Sequence, residues 1–228
     1  MFDFNNYAEH YEIRTSLIKE VSMIIEVEGL SCAGKTTQAK ILETFFNSMG
    51  YSVTIANEPG MTVFGTHLGK VIHSDMPRDS LAEALAFLSM EAQLYSEIIT
   101  PELALPNHVI LRDGGRGTLL SYLYTNTSLS IESLTRLINS AARNTQTTFS
   151  IFIDVPPEIA LRRLAESSSK RPRSKFDERS KELLRRQRDV LRMLSENHTD
   201  WIVVNGICSP IDVFRQIRHK IKTATLIT

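Results

Sequence analysis

Two cysteines, one tryptophan and no net charge set the first limits on this 228-residue chain. Cys32 and Cys208 are too few for a disulfide framework and show no zinc-ligand spacing, so a reducing, cytoplasmic setting is expected. Acidic and basic residues cancel at 26 each. A neutral chain has no global attraction to nucleic acid or to an anionic membrane, so any phosphate binding must be local. Apolar runs are short, such as Val109-Ile110-Leu111 and Ile202-Val203-Val204. Nothing approaches the roughly 20 residues of a membrane span. The opening MFDFNNYAEHYEIRTSLIKE has no apolar signal core, which argues against secretion. The six histidines show no ligand spacing and give histidine catalysis no support. No internal repeat or low-complexity tract appears.

What is present suits one α/β domain. Hydrophobic residues make up 42%, enough for a full core. Residues 1–22 read as a polar N-terminal extension, with a helix expected around Tyr11 to Glu20, and residues 23–228 as the domain proper. Strands are expected at Met23 to Val27, Tyr51 to Ala56, His108 to Leu111, Thr148 to Ile153 and Trp201 to Asn205. Helices are expected at Lys35 to Met49, Ser80 to Ile99, Thr118 to Tyr124, Ile131 to Arg143, Pro157 to Glu166 and Phe176 to Ser195, with a last one capped by Ser209. Ser167 to Lys175 reads as a polar, basic loop. Strands alternating with helices predict a doubly wound parallel sheet flanked by helices. In such sheets ligands bind beyond the carboxyl ends of the strands. Glu28 to Thr37, Glu58 to Gly60 and Asp113 to Gly117 should therefore meet in one crevice.

One of these segments carries a mechanism. Gly29-Leu30-Ser31-Cys32-Ala33-Gly34-Lys35-Thr36 fits G-x-x-x-x-G-K-[ST], lies between a strand and a helix, and is followed by Thr37. In such a P-loop the backbone N–H groups wrap a β-phosphate and the helix N-terminus faces it. Lys35 would neutralise β/γ oxygens, and Thr36 would offer its hydroxyl to Mg²⁺, with Asp113 as the second metal partner. ATP and Mg²⁺ are the expected cofactors.

From Met23 to about Lys222 the chain resembles the thymidylate kinase family. The matching pieces, in family order, are Glu28-Gly29 with Ala33 to Gln38, Glu58-Pro59-Gly60-x-Thr62, Ala82-Glu83-x-Leu85-x-Phe87, and Val109-Ile110-x-x-Asp113. Asp154 to Glu158 with Ala160 to Arg163 follows, and then Phe176-Asp177, where the family usually has Phe-Glu. The resemblance implies a P-loop NTPase fold with a short lid at about 167–179, ATP and Mg²⁺, and transfer to a small nucleotide acceptor, usually dTMP. It also implies a homodimer. The P-loop has no arginine of its own, and members of that kind supply cations from the lid. Here Arg171 and Arg173 are the candidates for catalysis. Arg185, Arg186, Arg188 and Arg192 read as a solvated helix face, and Asp154 as structural.

The acceptor half departs from the family pattern. Ser31 replaces the usual carboxylate, and Glu91 stands where an arginine would follow the base-stacking Phe87 by four residues. Asp113-Gly114-Gly115 aligns with Asp-Arg-Tyr. Arg112 and Arg116 flank the site and could replace the missing phosphate grip, and Tyr122 sits at the spacing of the pocket tyrosine. Because glutamate accepts where arginine donates, a cytosine-like or otherwise amino- or hydroxymethyl-bearing acceptor is expected to be favoured over dTMP. Glu58 faces the acceptor and would be the general base for a hydroxyl acceptor; a monophosphate needs none. Three readings follow. They are a nucleoside monophosphate kinase acting on dTMP or an altered pyrimidine nucleotide, a nucleoside or other hydroxyl kinase, and a non-catalytic ATP-binding regulator.

Overall fold

The computed structural model describes residues 22–168 and 180–225. The expected helix near Tyr11 and the lid residues Arg171 and Arg173 lie outside the described residues. Five strands, β1 (Met23–Glu28), β2 (Ser52–Ala56), β3 (His108–Asp113), β4 (Phe149–Asp154) and β5 (Trp201–Asn205), form one parallel sheet in the order β2-β3-β1-β4-β5. Central β1 registers Ile25 against Leu111 on one side and against Phe149 on the other. Parallel neighbours need crossover connections, and the helices supply them on both faces of the sheet.

Alternation along β1 divides the core. Ile25 and Val27 face one side, where Leu42 and Phe46 of α1 (Lys35–Ser48) and Val213 and Ile217 of α8 (Pro210–Thr225) meet them. Ile24 faces the other side, against Leu94 and Tyr95 at the end of α3 (Ser80–Leu94). Glu26 and Glu28 share that second face and are buried, at 3% and 0% exposed, so each must find a polar partner. A third apolar group joins α3, α4 (Arg116–Asn126), α5 (Ile131–Ala141) and α7 (Lys181–Asn197) through Leu88, Leu120, Leu134 and Val190. α6 (Pro157–Ser168) follows β4.

Helix ends follow sequence chemistry. Asp79 caps α3 by accepting from Leu81 N–H at 2.8 Å. Ser130 and Ser180 cap α5 and α7 in the same way, and Ser209 Oγ accepts from Asp212 N–H at the start of α8. Two features were not expected. α2 (Val63–His73) occupies the stretch after the Glu-Pro-Gly turn. Beyond Leu94, α3 continues through a π-helical turn, Tyr95–Ile99, that keeps both Tyr95 and Ile99 buried.

Candidate active site

The loop from Gly29 to Gly34 is built from backbone conformations that few side chains allow. Gly29 has φ 151°, and a Cβ there would lie 3.0 Å from Ile153 O and 3.1 Å from Ala33 Cβ. Cys32 at φ 60° and Gly34 at φ 109° turn the chain into α1. Lys35 Nζ reaches back over the loop and donates to Gly29 O at 3.0 Å and Leu30 O at 2.9 Å. Arg163 braces the loop from α6, donating to Ala33 O at 3.2 Å and to Gly206 O at 2.9 Å.

Thr36 Oγ1 donates to Asp113 Oδ2 at 2.5 Å, so a hydroxyl from α1 and a carboxylate from the end of β3 stand together. Hard oxygen donors of this kind suit Mg²⁺, which takes one or two carboxylates and otherwise keeps waters and phosphate oxygens. The residues present fit the ion.

Beside Lys35 a cleft of about 230 Å³ brings together Ser31, Glu58, Phe87, Glu91, Arg112, Asp113 and Tyr122. Phe87 and Tyr122 meet edge to face, with ring centroids 5.1 Å apart. Tyr122 OH donates to Glu83, whose other oxygen pairs with Arg78 Nε at 2.6 Å. The aromatic wall is therefore fixed from behind by a buried carboxylate.

Two sequence expectations need correction, for Glu91 and Arg116. Glu91 is not a bare acceptor. Its two oxygens are held by Arg112 Nη1 at 3.0 Å and Nη2 at 2.9 Å, and both residues are buried. Glu58 lines the cleft with both oxygens already engaged. Oε2 accepts from Gly60 N–H at 2.7 Å, and Oε1 accepts from Thr62 N–H at 3.2 Å and Thr62 Oγ1 at 2.9 Å. The carboxylate organises its own turn. Arg116 does not reach the cleft. It pairs with Glu26 at 3.1 Å and donates to Thr145 O at 2.9 Å, because the buried carboxylate on β1 draws it across the sheet. Arg112 takes the place in the cleft that was expected to be shared. Burial disfavours its charge, but the Glu91 carboxylate outweighs burial and holds its pKa above the ordinary value. Its guanidinium also lies over Tyr95, 5.3 Å from the ring centre.

Two further carboxylates, Glu28 and Asp154, brace the site. Glu28 ends β1 and accepts from Gly117 N–H at 2.8 Å, Thr118 N–H at 2.7 Å and the Thr118 hydroxyl, while Gly29 N–H donates to Thr118 Oγ1 at 3.2 Å. The first residue of the P-loop is thus stapled to α4, which carries Tyr122. Burial, and then the neighbouring Glu26, push the Glu28 pKa up to about 7 against those hydrogen bonds. Asp154 is structural as expected, but its partners were misread. Arg188 Nε lies 2.6 Å and Arg192 Nη2 2.8 Å from its oxygens, so these two arginines are not merely a solvated face. Burial works against the Asp154 charge, and the two arginines more than offset it, leaving its pKa below the usual carboxylate range.

A P-loop at the end of β1, a cation-binding pair across α1 and β3, and an aromatic cleft beside them define a P-loop phosphotransferase. A family model described as thymidylate kinase matches residues 27–217. Among curated relatives, a thymidylate kinase of Thermosipho africanus (strain TCF52B) is 26% identical over 197 residues, covering 86% of this chain and 96% of the relative. A probable thymidylate kinase of Thermococcus onnurineus (strain NA1) is 29% identical over 203 residues, covering 86% and 95%. A thymidylate kinase of Synechococcus sp. (strain JA-2-3B'a(2-13)) is 31% identical over 141 residues, covering 62% and 68%. The chain belongs to the thymidylate kinase family. It is a nucleoside monophosphate kinase that uses ATP as phosphate donor with Mg²⁺. Among the described residues no helix is long and apolar enough to cross a membrane.

Proposed function

We propose that the acceptor is thymidylate and that the product is its diphosphate. The observation that carries this reading is the Arg112–Glu91 pair. Glu91 has both oxygens committed to Arg112 Nη1 and Nη2, so the argument for a cytosine-type base loses its premise, whereas Arg112, which also lines the cleft, keeps one donor, Nε, without a partner among the described residues. A donor suits the carbonyl of thymine, and an amino group there would meet a like partner. The curated relatives carry the thymidylate kinase name over most of their own length, which supports the same acceptor.

In this reading the anionic oxygen of the acceptor phosphate attacks the γ-phosphorus. The bond to the β-bridging oxygen breaks, and ADP leaves. No strong base is required, which matches a Glu58 already engaged in its turn. Lys35 holds the β/γ oxygens, and the P-loop N–H groups hold the β-phosphate. Mg²⁺, when bound by Thr36 and Asp113, supplies further neutralisation of those oxygens. From the family resemblance, Arg171 or Arg173 would supply positive charge to the transferring group, a contribution on the order of 10³–10⁵ in rate in related systems. Phe87 and Tyr122 receive the base. The enzyme works in the cytoplasm as a homodimer that joins through apolar residues of α2 and α3.

The deciding measurement is kcat/KM for dTMP, dUMP, dCMP, CMP and the matching nucleosides. dTMP is expected to exceed dCMP by about tenfold or more, roughly 1.4 kcal/mol at the transition state. Lys35→Ala is expected to lower turnover by about 100-fold or more with every acceptor. A dCMP preference would return Glu91 to the role of base reader, and faster turnover of nucleosides would make the chain a hydroxyl kinase.

A further inference from the structure

A second cavity, of about 550 Å³, shares no lining residue with the catalytic cleft. It lies between α4, α5 and α7 near the start of β5. Its volume falls within the roughly 300–1,000 Å³ of small-molecule sites. The first turns of α4 form the partition between the two spaces. Gly115, Thr118 and Leu119 face the cleft, whereas Arg116, Gly117 and Leu120 face the second cavity.

The lining specifies a chemistry. Trp201 offers an indole surface, drawn in because Gly117 has no side chain; a Cβ there would lie 2.5 Å from the ring. Asn139, Asn144 and Gln146 offer amide donors and acceptors together. Asn144 is held in the left-handed region at φ 53°, with its N–H on Asn139 O at 2.8 Å. The charge in this space is already committed or unfavourable to an anion. Arg116 is satisfied by Glu26, Thr145 O and Thr147 Oγ1, and Asp200 adds a negative charge. A phosphate would gain little here. A flat, uncharged ring with both donors and acceptors on its edge would stack on Trp201 and pair with the amides.

We propose that this cavity binds an uncharged nucleoside, and that its occupancy is felt at the acceptor through α4. Arg116 and Tyr122 stand on that one helix, and its N-terminus is tied to Glu28 beside the P-loop. Binding in this cavity does not depend on which acceptor is phosphorylated; only the coupling rests on the kinase reading.

Trp201 is the only tryptophan in the chain. Its fluorescence therefore reports on this cavity. The full-length protein is titrated with thymidine, deoxycytidine and adenosine up to about 10 mM, with inorganic phosphate as control. A saturable change in emission is expected with at least one nucleoside and none with phosphate. Thr135→Phe, which fills the cavity from α5, is expected to abolish the change while keeping the wild-type melting temperature. If that variant does not fold, Asn139→Leu serves, with a loss of affinity of about tenfold expected for one amide pair. No saturable change in wild type, or one whose midpoint neither substitution shifts, overturns the proposal. Neither readout involves phosphotransfer, so a failed acceptor assignment leaves a separate trace in the kinetic series.

Discussion

At the scale of single residues, the cleft turns on one ion pair. Glu91 is 4% and Arg112 3% exposed, so each charge is stable in place only because the other neutralises it. Removing one partner strands a buried charge, at a cost of about 3–5 kcal/mol, whereas replacing both with apolar residues of similar volume is close to neutral. Glu91→Ala is therefore expected to lower stability by that amount in urea unfolding. Glu91→Met with Arg112→Leu is expected to recover most of it and still lose dTMP selectivity. If the double variant keeps wild-type selectivity, Arg112 does not read the base. The pair was only half legible in sequence. An arginine inside the apolar strand Val109-Ile110-Leu111-Arg112-Asp113 is an unmistakable demand for a buried carboxylate. Which carboxylate answers it depends on how α3 lies on β3, and no local pattern encodes that. The same holds for Glu26, whose partner Arg116 sits 90 residues away in the chain.

At the scale of elements, the strands and most helices were legible because apolar periodicity and end signals agreed. α2 was not, because two glycines, Gly65 and Gly69, weaken the helical signal. They are there for contact. A Cβ on Gly65 would lie 2.1 Å from Glu58 Oε2, and one on Gly69 2.4 Å from Pro59 Cβ. Gly65→Ala is therefore expected to displace the Glu-Pro-Gly turn, cost about 1–3 kcal/mol, and raise KM for the acceptor more than for ATP. An unchanged melting temperature would mean that the turn gives way freely. Glu28 makes a second element-level device, joining β1 to α4. Its pKa of about 7 lies above the ordinary 4.5, so between those values the folded chain holds a proton that the unfolded chain has lost. Its contribution to stability is complete below about pH 4.5 and is lost as pH rises through 7, at no more than roughly 1.4 kcal/mol per unit. Asp154 acts in the opposite sense, since its lowered pKa gives stability that is lost as pH falls. Glu28→Gln is expected to flatten the decline between pH 4.5 and 7 in unfolding series, and an unaltered slope would place the proton elsewhere.

At the scale of the whole molecule, the sheet order follows from the alternation of strands and helices, and so does the crevice where the P-loop meets the ends of β1 and β3. The outer surface is less legible, because an apolar residue on a helix looks the same in sequence whether it faces the core or a second subunit. α3 shows the difficulty. Leu88 is buried at 8% exposed, whereas Leu81 and Leu85, on the same helix, stand 45% and 50% exposed. Val63 at 73% and Phe64 at 47% on α2, and Met76 at 58% in the connection to α3, are exposed as well. Apolar surface gathered on adjoining helices costs free energy in water and marks a contact site. A twofold axis through α2 and α3 would bury the strip against its own copy, since an isologous interface needs one self-complementary patch. The strip also adjoins the acceptor side of the cleft, because α2 carries the Glu58 turn and α3 carries Phe87. Light scattering after size exclusion, at tens of micromolar chain, is expected to give twice the chain mass. Leu85→Glu, which puts a charge at the centre of the strip, is expected to give the chain mass itself, with circular dichroism unchanged and KM for the acceptor raised. A wild type that runs as a monomer at that concentration would reject the homodimer. A dimer that survives both Leu85→Glu and Phe64→Glu would place the interface on another face.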